Sequence, residues 1–277
     1  MDKLASILNQ FSFSTGVFYT GQLCGLGSFE DEKSQVGHIH LLKQGVLEAK
    51  EPGKAAIVFD EPTLLFYPRP TSHTIRADKE SNTEVVCAEV HYGAGPSNPL
   101  ASSIPSLVSI PVNHDPRFKE TVEWLFEEAF GSKCARQLVM DRLCELLIVQ
   151  LLRWVINNRQ VDVGLLAGLA DSRLAKAMEA IHKEPEKNWN LVELSELAMM
   201  SRSRFAAHFR EVTGQTPGDY IASWRVEVAK SMLKKGKRVG WVANEVGYEN
   251  TSTLARTFRS KTGMSPKEWQ KQFASHL

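Results

Sequence analysis

The sequence predicts a two-domain α+β protein, with an N-terminal antiparallel β-barrel, a helical segment behind it, and a C-terminal all-α domain. Three observations predict it. Residues 16–112 alternate short β-branched or apolar runs with turn formers, and from Thr121 onward the apolar period changes to three and four residues. Charge is also divided: residues 1–169 hold 15 Lys+Arg against 20 Asp+Glu, whereas residues 170–277 hold 18 against 12. The halves therefore carry −5 and +6, which suits a polyanion reader joined to a domain of another kind. At 277 residues each domain is long enough to bury its own core.

Composition excludes several classes. Hydrophobic residues at 43% and charged residues at 23% argue against wholesale disorder. The most apolar stretch, Glu145 to Ile156, is short and carries Gln150 and Arg153, against the roughly 20 apolar residues a membrane span needs. MDKLASILNQ has no apolar core behind a basic start, so a cytoplasmic protein without a secretory signal is expected. Four cysteines without a CxxC pair predict reduced thiols. No GxSxG, P-loop or dinucleotide fingerprint occurs, and the glycines of Gly21 to Gly27 lead into an acidic turn rather than a helix.

In chain order, strands are predicted at Val36 to Leu42, Ala55 to Phe59, Leu64 to Tyr67 and Thr83 to Val90. They are separated at Pro52-Gly53, Glu61-Pro62, Pro68 to Pro70 and Gly93 to Pro99, the spacing of an antiparallel sandwich or barrel. After Pro105, Pro111 and Pro116, a helix is predicted over Thr121 to Phe130 and a longer one over Cys134 to Asn157. The stripe of the second, Leu138, Val139, Leu143, Leu146, Leu147 and Trp154, suits either core or a seam between two copies. Asn157 to Gln160 is a polar exit, and from Ala167 almost everything is helical.

Near the C-terminus the sequence repeats itself. Ser203 to Tyr220 (SRFAAHFREVTGQTPGDY) aligns with Ser252 to Trp269 (STLARTFRSKTGMSPKEW) at an offset of 49, and Leu191 to Ala198 aligns with Val239 to Val246 at 48. Each copy is a short helix, a tight turn and a second helix, the layout in which the second helix lies in the DNA major groove. Leu191, Leu194 and Leu197 are expected to face inward, with Phe205 and Phe209 fixing the second helix to them. Arg202, Ser203 and Arg204, and in the second copy Thr251, Ser252 and Arg256, are then placed to read bases. Arg210, Arg259 and Lys261 lie farther along and suit phosphate contacts. Thr216 to Leu233, with Pro217 in its first turn, predicts a long helix holding the copies apart, one DNA turn of about 34 Å between grooves.

These residues, WNLVELSELAMMSRSRFAAHFREVTGQTPGDYI, the Trp224-Arg225 helix and VANEVGYENTSTLARTFRSKTGMSPKEW, resemble the DNA-binding domain of the AraC/XylS family of bacterial transcription regulators over residues 185–277. The resemblance implies two tandem helix-turn-helix units in successive major grooves of double-stranded DNA. By position it implies base contacts from Ser203, Ala206 and Ala207 and from Thr251, Ser252, Ala255 and Arg256. Alanine at 206, 207 and 255 leaves few polar readers there, which shifts recognition toward Arg202, Arg204, Arg256 and DNA shape. It further implies contact with RNA polymerase and activation of transcription, with repression still open; a homodimer is expected from the apolar stripe of the Cys134 to Asn157 helix.

The N-terminal half resembles the cupin-like barrel that many such regulators carry. His38-Ile39-His40 with Gln44 is similar to the cupin HxHxxxE strand, Gln44 replacing its acid. Tyr67 to His73 is similar to the PxGxxH turn, with Pro70 in place of Gly. Alternation puts His38 and His40 on one strand face, and His73 completes a candidate set for a transition metal such as zinc. Cys24 and Cys87 are candidate further ligands, or thiols that answer an oxidant; structural or organic-ligand use of the histidines is the reading set against metal.

The domains expected are a sensor over 1–115, a dimerisation or coupling segment over 116–160, a linker with a leading helix over 161–184, and the DNA reader over 185–277. The function expected is an effector-controlled transcription regulator rather than an enzyme. A cupin metalloenzyme with an attached reader and an effector-independent architectural DNA-binding protein are the alternatives.

Overall fold

The computed structural model describes residues 4, 7, 8, 12–30, 36–92, 98–158 and 163–274. Residues 93–97 of the predicted turn and Arg159-Gln160 of the polar exit lie outside the described residues. The chain divides into a β unit, residues 13–97 and 104–155, and a helical unit, residues 156–277 with 98–103 and the described residues of 1–12.

The β unit holds two antiparallel sheets. One has the order β1 (Phe13–Gln22), β8 (Glu84–Tyr92), β3 (Gly37–Gln44), β6 (Thr63–Tyr67) and β9 (Val108–Pro111). The other runs β2 (Gly25–Phe29), β7 (His73–Ala77), β4 (Leu47–Lys50) and β5 (Ile57–Phe59). Leu42, Leu65, Val85 and Cys87 from the first meet Leu47, Ala49 and Ile75 from the second in one buried cluster. Because side chains alternate along a strand, His40 and His38 lie on the same inner face as Leu42, and His73 shares its face with Ile75. The outward residues Ile39 and Leu41 are buried too, so β3 is covered on both faces from Gly37 to Leu42.

Two helices complete this unit. Asp115 accepts hydrogen bonds from the Arg117 and Phe118 amides and Pro116 follows it, so α2 (Pro116–Phe130) begins five residues before the predicted Thr121. α3 spans Arg136–Asn157. The register of β1 shifts between Val17 and Tyr19, and α3 takes up the backbone groups this frees. Asp141 Oδ1 accepts from the Val17 amide at 2.8 Å, and Gln137 donates to the Val17 carbonyl at 2.8 Å. Leu143 and Leu147 of the predicted stripe are core, while Leu138 and Leu146 are exposed.

The helical unit contains α1 (Pro99–Ser102), α4 (Leu165–Ala170), α5 (Ala175–Lys183), α6 (Leu191–Leu197), α7 (Arg202–Thr213), α8 (Pro217–Lys234), α9 (Val239–Glu245), α10 (Thr251–Thr262) and α11 (Pro266–Ala274). Among the described residues no helix is long and apolar enough to cross a membrane.

Candidate functional site

The repeat becomes two helix-turn-helix units. Asn190 begins α6 with a capping box, its side chain accepting from the Val192 and Glu193 amides while Glu193 accepts from the Asn190 amide. Leu194 and Ala198 are buried, but Leu191 and Leu197, expected inside, are 38% and 36% exposed. Three-residue steps on a helix of 3.6 residues per turn place them to either side of Leu194, at the margins of the inward face.

The second helices share one burial pattern over residues 202–210 and 251–259. In α7 Phe205 and Phe209 are buried, and in α10 Leu254 and Phe258 are buried. Arg202, Ser203, Arg204, Ala207 and Arg210 in α7, and Thr251, Ser252, Arg256, Arg259 and Lys261 in α10, are all exposed; Ala206 and Ala255 are half-buried. Every predicted reading or phosphate residue thus lies off the packed face. Both helices stop at a left-handed glycine, Gly214 at φ 76° and Gly263 at φ 80°. Arg259 is shared with Glu268, 3.5 Å away across two exposed side chains. His208 braces α7, its Nε2 2.9 Å from Asp171, whose carboxylate also accepts from the Arg173 and Leu174 amides.

A second cluster lies inside the β unit. β3 pairs with β8 so that His40 stands opposite Cys87, and with β6 so that His38 stands opposite Tyr67; β2 puts Phe29 opposite His73. His40 Nδ1 lies 3.2 Å from Cys87 Sγ, its Nε2 lies 2.8 Å from His73 Nε2, and His73 Nδ1 lies 2.6 Å from the Thr71 carbonyl. A carbonyl only accepts, so His73 Nδ1 carries a proton and its Nε2 accepts from His40. His40 Nδ1 then accepts from the Cys87 thiol. The result is one directed relay: Cys87 to His40 to His73 to Thr71.

Burial keeps every member neutral. It lowers His40 well below the ordinary imidazole range, helped by His73 and His38, and lowers His73 against the opposing pull of Thr71 and Glu51. His38 falls to about 4 through burial and then the neighbouring His73 and His91, while burial pushes the Cys87 thiol up to about 12. Two aromatic rings cover His73: Tyr67 stacks on it at 3.7 Å and Phe29 at 4.8 Å between centroids. His38 Nδ1 and the Tyr67 hydroxyl are buried with no hydrogen-bond partner among the described residues. A cavity of about 440 Å³ opens beside His73 and Phe29, walled also by Ser28, Glu48, Glu51 and Arg76.

The three histidines and Cys87 do come together, and Cys24 does not join them. Cys24 is exposed and precedes Gly25, which pairs with Ala77, so it lies roughly 16 Å along the strand from the Phe29 and His73 pair. Nor do the gathered residues fit a metal cage. His40 turns one nitrogen to Cys87 and the other to His73, so the ligand atoms do not converge on one point. Two nitrogens on a shared tetrahedral zinc stand roughly 3.3 Å apart, and the 2.8 Å gap here is a hydrogen bond. Among the described residues no three His, Cys, Asp or Glu side chains are set to hold a metal ion. Tyr67, Phe29 and the Thr71 carbonyl went unassigned at the sequence level, although Tyr67 and Thr71 lie inside the YPRPTSH run.

Comparison with known proteins finds matches to both domains. A cupin family model matches residues 2–157 and a helix-turn-helix domain model matches residues 194–272. A putative AraC-like transcription regulator of Streptomyces lividans is 30% identical over 202 residues, covering 71% of this chain and 66% of its own length, just under two thirds of that relative. An uncharacterized HTH-type transcriptional regulator of Haemophilus influenzae is 25% identical over 271 residues, covering 88% and 89%. The RCS-specific HTH-type transcriptional activator RclR of Escherichia coli K12 is 23% identical over 237 residues, covering 84% of each chain. With the cupin match spanning more than half its length and the paired helix-turn-helix units behind it, the chain belongs to the AraC/XylS-type transcription regulators that carry an N-terminal cupin domain.

Proposed function

We propose that this protein binds a promoter site on double-stranded DNA through α7 and α10 and is switched by an effector received in its β unit. The observation that carries the proposal is the repeated burial pattern: two helices with the same two packed positions leave the same arginine-bearing face open. Arg202, Arg204 and Arg256 supply base contacts there, and Arg210, Arg259 and Lys261 supply phosphate contacts. Residues 1–115 then sense, 116–160 couple or pair two copies, and 185–277 read DNA in a cytoplasmic homodimer that engages RNA polymerase.

The cavity beside His73 supports a small organic effector that contacts His73 and Phe29 at the end of the relay. An oxidant is the second candidate, favoured by the exposed Cys24 thiol. The test selects duplexes from a random library with the full chain and measures affinity against salt. A selected site bound at least a hundredfold tighter than random DNA supports the reader, and indifference to sequence refutes it. Metal content and free-thiol count on anaerobic protein, repeated after mild oxidant, separate the effector classes. Stoichiometric metal lost in His73→Ala would overturn the organic reading, as would thiol loss that alone changes DNA affinity.

A further inference from the structure

Arg225, midway along α8, is almost fully buried, and its guanidinium is spent on backbone rather than on a carboxylate. Nε donates to the Pro185 carbonyl at 2.7 Å, Nη2 to the Lys187 carbonyl at 2.9 Å and Nη1 to the Gly247 carbonyl at 3.2 Å. Pro185 to Lys187 is the loop leading into the first helix-turn-helix, and Gly247 is the turn of the second. One planar fork therefore bolts the entry of one unit to the turn of the other, from the helix that joins them. The ring of Tyr248 lies 5.4 Å from the guanidinium carbon.

The contact is tight from the other side as well. Gly247 sits at φ +79°, and a Cβ there would come within 2.4 Å of the Glu186 carbonyl oxygen and 2.7 Å of Arg225 Nη2. The equivalent turn residue of the first unit, Met199, is 82% exposed. The two turns thus differ: the first turns its residue to water, and the second packs against Glu186 and Arg225 as an internal joint. It is also where the repeat slips from an offset of 48 to 49, the one residue that separates the copies.

Taking both recognition helices to meet one duplex, as proposed above, we infer that Arg225 fixes the separation and rotation of α7 and α10, and so sets the spacing of the two DNA half-sites the protein accepts. Arg225 does not touch DNA in this account; it is a positioning residue. One added base pair moves a half-site by about 3.4 Å and turns it by about 34°, a displacement a rigid joint rejects and a loosened one follows. Lysine can reach one of the three carbonyls but cannot fork to all of them.

The test uses the full chain and duplexes carrying the selected site with its spacer unchanged, or shortened or lengthened by one and two base pairs, plus each half-site alone. Wild type is expected to lose at least tenfold in affinity per altered base pair. Arg225→Lys is expected to bind each single half-site within threefold of wild type while its spacing discrimination falls below threefold. Full discrimination retained in Arg225→Lys would overturn the inference, as would an equal loss on every duplex including single half-sites, which marks unfolding. Gly247→Ala, strained at the same joint, should repeat the flattening; a folded Gly247→Ala with wild-type spacing preference counts against it. A wild type indifferent to spacing would instead overturn the premise that both helices read one duplex.

Discussion

His40 Nε2 and His73 Nε2 face each other at 2.8 Å across the interior of the β unit, each ring anchored on its far side, one by the Cys87 thiol and the other by the Thr71 carbonyl. A proton added to His40 is opposed by burial and then by the neighbouring His73 and His38, and one added to His73 is opposed by burial, which outweighs the pull of Thr71 and Glu51. The folded state therefore holds these histidines neutral, below their ordinary range, while the unfolded chain takes up protons near pH 6.5. The unfolded state binds more protons in that window, so stability is full above pH 6.5 and falls as pH drops toward 4, where His38 titrates. Thermal melts from pH 7.5 to 4.5 check this. His38→Phe, which removes an unpaired buried nitrogen, should melt near wild type at pH 7.5 and lose less on acidification.

The proposed function divides the open faces of α7 and α10 between base reading and phosphate binding. Arg256→Ala is expected to cost about 1–3 kcal/mol on the selected site and to relax discrimination at one base pair, with little change on random DNA. Arg259→Ala should weaken both alike and flatten the salt slope by about one. Because Glu268 shares Arg259, Glu268→Gln should tighten binding slightly on any sequence. Titrations on specific and random duplexes at three salt concentrations read all three.

Met199 holds a left-handed backbone at φ 53° with its side chain in water. That conformation costs a non-glycine residue about 1 kcal/mol, and almost no packing offsets it here. Met199→Gly is expected to raise stability by about 0.5–1 kcal/mol in urea unfolding without altering DNA affinity. A destabilised variant would show that the methionine side chain has a role in the folded state.

Leu138 and Leu146 lie two turns apart on the outer face of α3, exposed while Leu143 and Leu147 fill the core behind them. If two copies pair through this face, Leu146→Glu should convert a dimer to monomer in sedimentation equilibrium while leaving the melt of the β unit within about 1 kcal/mol of wild type. A monomeric wild type would end the idea.

Much of this was legible in the sequence because it is written locally. The change of apolar period near Thr121 and the offset repeat announced two kinds of architecture, and Asp115-Pro116 marks a helix start that only a stricter use of capping would have caught. The histidine cluster was half legible. HxH spacing gives a shared face, but that His40 meets Cys87, 47 residues away, depends on strand register, which no local pattern encodes. The separate register of β2 with β7 leaves Cys24, just ahead of β2, at the end away from His73. Arg225 belongs to the Trp224-Arg225 pair that carries the family resemblance, but its role was not legible, since a buried arginine whose partners are three distant carbonyls looks like any charge on an amphipathic helix.

The repeated burial pattern of α7 and α10 also bears on how such a protein changes over time. Packing falls to Phe205, Phe209, Leu254 and Phe258, and the proposed contact with DNA falls to their exposed neighbours, with no residue on both duties. Each reading face can therefore mutate almost freely without endangering the fold, and each can do so independently of its twin. A lineage built this way can acquire a new operator one half at a time, keeping a working grip on the old half while the other is rewritten.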